Sequence, residues 1–200
     1  MTGRVIAVVG ASGVGKDSVM EGLYAALPNA HLVRRVITRD KDAGGEDFDA
    51  VSETEFEALV ENGSFVMHWH AHGLFYGIPT TIKHQLDQGK DCLINLSRDT
   101  LQRAENIFPT VVVLNLTAAP QTIAQRLVSR NRETQDEIAR RLNAATKTLP
   151  DGLNVLHLSN DGPLAETVAR GIALLCPDSE AIPVDVQGKT PNTKNSETAS

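Results

Sequence analysis

Nine residues near the start have the types and spacing to hold a polyphosphate: Gly10, Ala11, Ser12, Gly13, Val14, Gly15, Lys16, Asp17 and Ser18. The glycines let backbone N–H groups turn toward one anion without Cβ clashes. Lys16 adds a mobile point charge for the outer phosphates. A Ser or Thr usually follows such a lysine, because its hydroxyl binds Mg²⁺. Asp17 stands there instead, and Ser18 brings the first hydroxyl. A second group of cations lies far downstream: Arg126, Arg130 and Arg132, then Arg140 and Arg141. Phosphoryl transfer from ATP needs positive charge around the moving group, because its catalysis is mostly positioning and electrostatic stabilisation. Arg126 and Arg130 are four apart and share a helix face. Two readings stand for residues 126–141. One is a mobile lid that brings arginines to the phosphates. The other is a solvated charged surface, given Glu133, Asp136 and Glu137 nearby.

The elements that must position these groups follow from the apolar pattern. Val5-Ile6-Ala7-Val8-Val9 reads as a strand leading into the glycine-rich turn. Val19, Met20, Leu23 and Leu27 have helical spacing, so a helix runs from the loop to Ala26. Strand, loop, lysine and helix is the arrangement of a phosphate-binding P-loop, with the helix N-terminus adding unpaired donors and a positive dipole end. Residues 31–37 read as a second strand, ending at Thr38-Arg39 before a polar loop over 40–49. Ser52 and Glu55 form a capping box for a helix through Glu61. Residues 64–70 and 74–77 read as short strands, and Pro79 suits the first turn of a helix to Gln88. Further strands are expected at 91–96, 110–116 and 154–158. Helices are expected after Pro120, from a Thr134 capping box to Thr148, and after Pro163. The alternation predicts an α/β layered fold around a mainly parallel sheet. Residues 177–200 shift to Ser, Thr, Asn, Pro and Lys, which reads as a disordered tail or as an extension packed through Ile182 to Val184.

Thr38 and Arg39 fall at a strand end, where open α/β sheets gather ligands. Tyr76-Gly77 puts a phenol beside a backbone that a ligand can approach closely. His68, His70 and His72 alternate, so one strand face could present them to a metal or an anionic substrate. Apolar content of 41% and charged content of 22% are ordinary for a globular chain. A net charge of −6 argues against nonspecific nucleic-acid binding and leaves room for a local basic pocket. Cys92 and Cys176 are too few for a disulfide framework. No apolar run approaches membrane-spanning length, and the first is too short for a signal peptide. The expectation is one cytoplasmic domain over 1–176 that works on a small molecule without nucleic-acid or membrane partners.

These parts arrive in an order that resembles the guanylate kinase branch of the P-loop nucleoside monophosphate kinases. The resemblance rests on the P-loop, Ile37-Thr38-Arg39, Asp47-Phe48, Val51-Ser52, Phe65 to Tyr76-Gly77, Arg126 to Arg130, Glu133-Thr134 and Arg141-Leu142. It implies a three-layer P-loop NTPase fold, an acceptor-binding region over about 38–82 and a lid over 126–141 that closes on ATP and Mg²⁺. It also implies that Lys16, Arg126, Arg130 and Arg141 act on the moving phosphoryl group, and that Thr38, Arg39 and Tyr76 hold the acceptor phosphate.

The departures carry more information. The guanine-reading Glu is replaced by Met67, and the Ser or Thr after Tyr-Gly by Ile78. The acids ending the third core strand are Asn95 and Ser97. A buried base edge left unpaired costs on the order of 1–3 kcal/mol per group, so GMP fits poorly. A Gly-Lys-Asp-Ser loop on such a frame resembles the ribose 1,5-bisphosphate phosphokinases. That resemblance implies ATP-dependent phosphorylation of a sugar bisphosphate, with Lys41, His68 and His70 as candidates for its second phosphate. It also suggests that the metal-binding carboxylate has moved to Asp17. The rival readings are a nucleoside monophosphate kinase with altered base preference and an inactive guanylate-kinase-like binding module.

Overall fold

The computed structural model of the protein describes residues 2–41, 46–129 and 148–177. Among them the chain forms two sheets. The first comprises β1 (Val5–Gly10), β2 (Ala30–Leu32), β7 (Asp91–Asn95), β8 (Val111–Thr117) and β9 (Val155–Ser159), in the order β2-β7-β1-β8-β9. Every pairing in it is parallel. The second comprises β3 (Val36–Ile37), β4 (Asp49–Ala50), β5 (Phe65–Ala71) and β6 (Leu74–Pro79), in the order β4-β3-β6-β5. Its β3–β6 and β5–β6 pairs are antiparallel, and β3–β4 is parallel.

β1 is central because both its faces are apolar and both are covered. Val5, Ala7 and Val9 join one core with Ile94, Leu96, Leu101 and Val113. Ile6 and Val8 join the other with Val19, Leu23, Leu114 and Val168. Helices α1 (Lys16–Ala26) and α6 (Leu164–Leu175) close the second face. They approach tightly at Gly22, where a Cβ would come within 2.5 Å of Val168 Cγ2. Three shorter helices, α2 (Glu53–Glu61), α3 (Ile82–Asp87) and α4 (Leu101–Ile107), and α5 (Pro120–Ser129) complete the described elements.

Ser52 caps α2 as its sequence predicts, with its hydroxyl accepting from Glu55 N–H and the Glu55 carboxylate accepting from Ser52 N–H. Three expectations change. The strand over 31–37 is two strands: β2 pairs with β7 of the core sheet, and β3 leaves to pair with β6. Pro79 ends β6 rather than opening a helix, because Thr80 N–H still bonds to Ser64 C=O and α3 begins at Ile82. Residues 98–107, without an assigned element in the sequence reading, form a 3₁₀ turn (Arg98–Thr100) and α4, which buries Leu101 and Ala104. The capping box at Thr134 and the tail from residue 178 lie outside the described residues.

Candidate functional site

The P-loop leaves the C-terminal end of β1 at the middle of the core sheet, where ligands collect in open parallel sheets. Gly15 forms the N-cap of α1 with φ 92°. Only glycine fits there: a Cβ would sit 2.6 Å from Asn160 Nδ2, in a left-handed conformation that side chains disfavour. Val14 anchors the loop by its side chain in the core and by its carbonyl, which accepts from Asn160 Nδ2 at 2.8 Å and Arg126 Nη1 at 3.1 Å. Arg126 also donates from Nη2 to Asn160 C=O at 2.8 Å. It reaches the loop because Ile123 and Leu127 of α5 pack against Ala11, with Leu127 over Gly13. Asn160, buried after β9, is a functional candidate with no local sequence signal.

Lys16 folds its Nζ back onto Gly10 C=O at 3.0 Å and Ala11 C=O at 3.2 Å. A bound phosphate would offer better acceptors in the same place. Burial pushes the Lys16 ammonium below its ordinary pKa, and the neighbouring Asp17 carboxylate opposes that shift. Asp17 meets Asn95: the Asn95 Nδ2 lies 3.4 Å from Asp17 Oδ1 and 3.4 Å from Glu46 Oε2. The loop position that gained an acid and the strand position that lacks one are therefore adjacent. Ser18 is exposed on the first turn of α1.

Glu46 continues the chain of contacts. It forms a buried ion pair with Arg35, whose guanidinium stacks 5.0 Å from the Tyr76 ring centroid. Trp69 stacks on that ring at 5.3 Å and 9°, and the same guanidinium lies 5.8 Å from the Trp69 ring centroid. Burial raises the Tyr76 phenol pKa, with Arg35 and Arg39 opposing, so the hydroxyl remains a donor at neutral pH. Arg35 and Glu46 were both passed over in the sequence, since their pairing is visible only in three dimensions.

Tyr76 lines a cavity of about 560 Å³ together with Gly10, Ala11 and Ser12 of the loop, Arg39, and residues 96–99 after β7. Arg39 lies 4.2 Å over the Phe48 ring, and its buried Nε and Nη2 have no hydrogen-bond partner among the described residues. Such donors are costly unless a ligand meets them. Thr38 is committed to structure, with Oγ1 accepting from Phe75 N–H at 2.9 Å.

His68 does not join this group. It packs near Phe56 and Phe65, on the sheet face opposite Tyr76 and Trp69. His70 contacts Phe75, while His72 sits at the β5–β6 turn with φ 54° and lines the cavity. The three histidines thus do not share a site, and the described residues contain no cluster of three metal-binding side chains. Met67 and Ile78 are fully buried in the apolar core beside Val9 and Leu96, and offer nothing to a base edge. Arg130 and Arg141 lie outside the described residues.

Residues 2–160 match the family described as guanylate kinase. A ribose 1,5-bisphosphate phosphokinase of Ruegeria sp. is 48% identical over 174 residues, covering 86% of this chain and 92% of its own. The protein of the same name from Azotobacter vinelandii is 42% identical over 177 residues, 88% of this chain and 97% of its own. Among solved structures, guanylate kinase from Anaplasma phagocytophilum superposes with a TM-score of 0.64 over 88% of this chain and 85% of that one. At 19% identity that likeness speaks for the fold alone. A sugar kinase from Janibacter sp. superposes with a TM-score of 0.52 at 16% identity, covering 88% and 95% of the two chains. The chain belongs to the guanylate kinase family, and within it to the ribose 1,5-bisphosphate phosphokinases.

Proposed function

We propose that the protein transfers the γ-phosphoryl group of ATP to the 1-phosphate of ribose 1,5-bisphosphate, giving 5-phospho-α-D-ribose 1-diphosphate (PRPP) and ADP. This is the step that phosphonate catabolism requires of such a kinase. The observation that carries the reading is the cavity that joins the P-loop to Arg39 and Tyr76, together with the full burial of apolar Met67 and Ile78, the positions at which the resemblance implies guanine contacts in guanylate kinases.

In this account the backbone of residues 10–15 cradles the triphosphate, and Lys16 exchanges its carbonyl partners for the β- and γ-phosphate oxygens. Arg126 lies against the loop at Val14 and stabilises charge on the moving group, with Arg130 and Arg141 joining it from the lid over 126–141. Arg39 and Tyr76 donate to the acceptor phosphate. Arg35, paired with Glu46, packs against the Tyr76 ring, and Thr38 braces the bend after β3 that carries Arg39. The acceptor phosphate is a doubly charged monoester near neutral pH, so no side-chain base is needed.

Asp17 fits a divalent cation in donor type, being a carboxylate beside the triphosphate cradle, oriented by Asn95. When bound, Mg²⁺ would neutralise charge on the triphosphate. Asp17 would hold it directly or through water, with Ser18 near. The reading also takes 38–82 as the acceptor region and 177–200 as a tail outside the kinase domain, and places the enzyme with its ATP in the cytoplasm.

Phosphorus NMR of the reaction mixture tests the proposal. Incubation with ATP, Mg²⁺ and ribose 1,5-bisphosphate should convert the anomeric monoester signal into a diphosphate pair as ADP appears. ATP loss that leaves the sugar signals unchanged would refute it.

A further inference from the structure

The acceptor read above carries two phosphates, and Arg39 with Tyr76 accounts for one. The cavity contains a second guanidinium that the sequence reading never considered. Arg98 follows β7 and lines the same space as Arg39 and the P-loop, from a different sheet and a different wall. Its turn is rigid. Leu96 before it and Leu101 after it are buried, and Thr100 is pinned by its Oγ1 donating to Ser97 C=O at 2.8 Å. An arginine on such a turn is held in place before any ligand arrives, so less entropy is lost when it binds.

The charge balance of the cavity points the same way. The whole chain carries a net charge of −6. The charged side chains lining this space nevertheless include two arginines, Arg39 and Arg98, against one carboxylate, Asp99. A phosphate monoester brings a charge of about −1.5 to −2, so a bisphosphate needs cations at both ends. The earlier candidates for the second phosphate are less well placed. Lys41 does not line this space but a second cavity of about 390 Å³ on the other side of Arg39, where Glu53 and Glu55 add negative charge, and His68 packs near aromatic rings on the other face of the second sheet.

We propose that Arg98 is the specificity residue that binds the non-reacting phosphate of the acceptor, while Arg39 holds the reacting one. This rests on the kinase reading above and assigns the part of the substrate that the reading left open. Selection for a small molecule with phosphates at both ends follows from two arginines fixed on two walls.

The test compares ribose 1,5-bisphosphate with ribose 1-phosphate, which lacks the second phosphate. It measures kcat/KM for each acceptor and KM for ATP. Arg98→Ala should shrink the preference for the bisphosphate by about 30-fold, the size of one charge-assisted hydrogen-bond pair. Arg98→Lys should lie between, and Arg39→Ala should reduce both acceptors alike. An Arg98→Ala enzyme that loses both acceptors equally, or whose main change is a raised KM for ATP, overturns the assignment. So does a loss of preference that follows Arg39 instead. A misfolded Arg98→Ala protein leaves Arg98→Lys to decide the matter, because an unchanged preference there also overturns it. Wild-type enzyme with no turnover of the bisphosphate would strike the kinase reading itself, before any variant is made.

Discussion

β1 of the core sheet is fully buried from Val5 to Val9, whereas β3 and β4 of the second sheet are two residues long and flanked by the ion pairs of Arg34 with Asp47 and Asp49. The first sheet is held by apolar area, at roughly 25 cal/mol per Å² buried. The second places a buried ion pair, Arg35 with Glu46, under the stacked rings of Tyr76 and Trp69. A buried pair is weak evidence for stability, since desolvation offsets most of its attraction. Its place beneath Tyr76 and beside Asn95 gives it another use: it ties the acceptor wall to the P-loop. The lesson is a division of labour. The phosphate end is built on a generic apolar frame, and the acceptor end on polar contacts that determine what fits.

That contrast can be broken at several points. The largest effect is expected at Lys16. Lys16→Ala should lower kcat/KM by about 10³-fold, the scale of losing one preorganised electrostatic contact, while the thermal midpoint stays near wild type. A large fall in stability instead would mean that the lysine is part of the frame. Next comes the ion pair. Glu46→Ala leaves Arg35 buried without its carboxylate and should destabilise by about 3 kcal/mol, measured by urea unfolding. It should also raise KM for the acceptor more than KM for ATP. The double change Arg35→Met with Glu46→Leu should recover most of the stability but not the acceptor KM.

Asn160→Ala sharpens the comparison from the other side. It removes the Nδ2 donor to Val14 C=O and should cost about 1–2 kcal/mol, with KM for ATP rising and the acceptor little affected. The smallest change is at the α2 cap. Ser52→Ala should cost about 1 kcal/mol. Backbone and side-chain hydrogen bonds from Ser52 depress the Glu55 pKa. The capping contribution is therefore complete above the ordinary carboxylate pKa and is lost as pH falls through the depressed value. The stability difference between wild type and Ser52→Ala should narrow in that acid range and stay constant above it.

The phosphate end was legible in the sequence because its chemistry is contiguous. Gly10 to Ser18 carry the loop, and the strand before and helix after it have clean periodicity. The α2 capping box was legible for the same reason. The acceptor end was only partly so. The change of sheet between Leu32 and Val36 leaves no mark on a run that reads as one strand, because it is decided by which neighbour each half pairs with. Arg35 and Glu46 are eleven positions apart, and Asn160 is 146 positions from the carbonyl it serves. Such pairings have no local signature. The α4 helix escapes sequence reading although Leu101, Ala104 and Phe108 have helical spacing, because it is only seven residues long behind a polar start. His68 and His72 would share a face if β5 ran on, but the strand ends at Ala71 and the turn at His72 puts that side chain at the cavity.

The central claim is that the acceptor wall selects a phosphorylated sugar over a nucleotide. The most direct test follows ADP release with saturating ATP and compares kcat/KM for ribose 1,5-bisphosphate with that for GMP, AMP and dTMP. The account predicts a preference for the sugar bisphosphate of about 100-fold or more, since no group replaces the base-reading carboxylate. Faster turnover of any of the three nucleotides would contradict it.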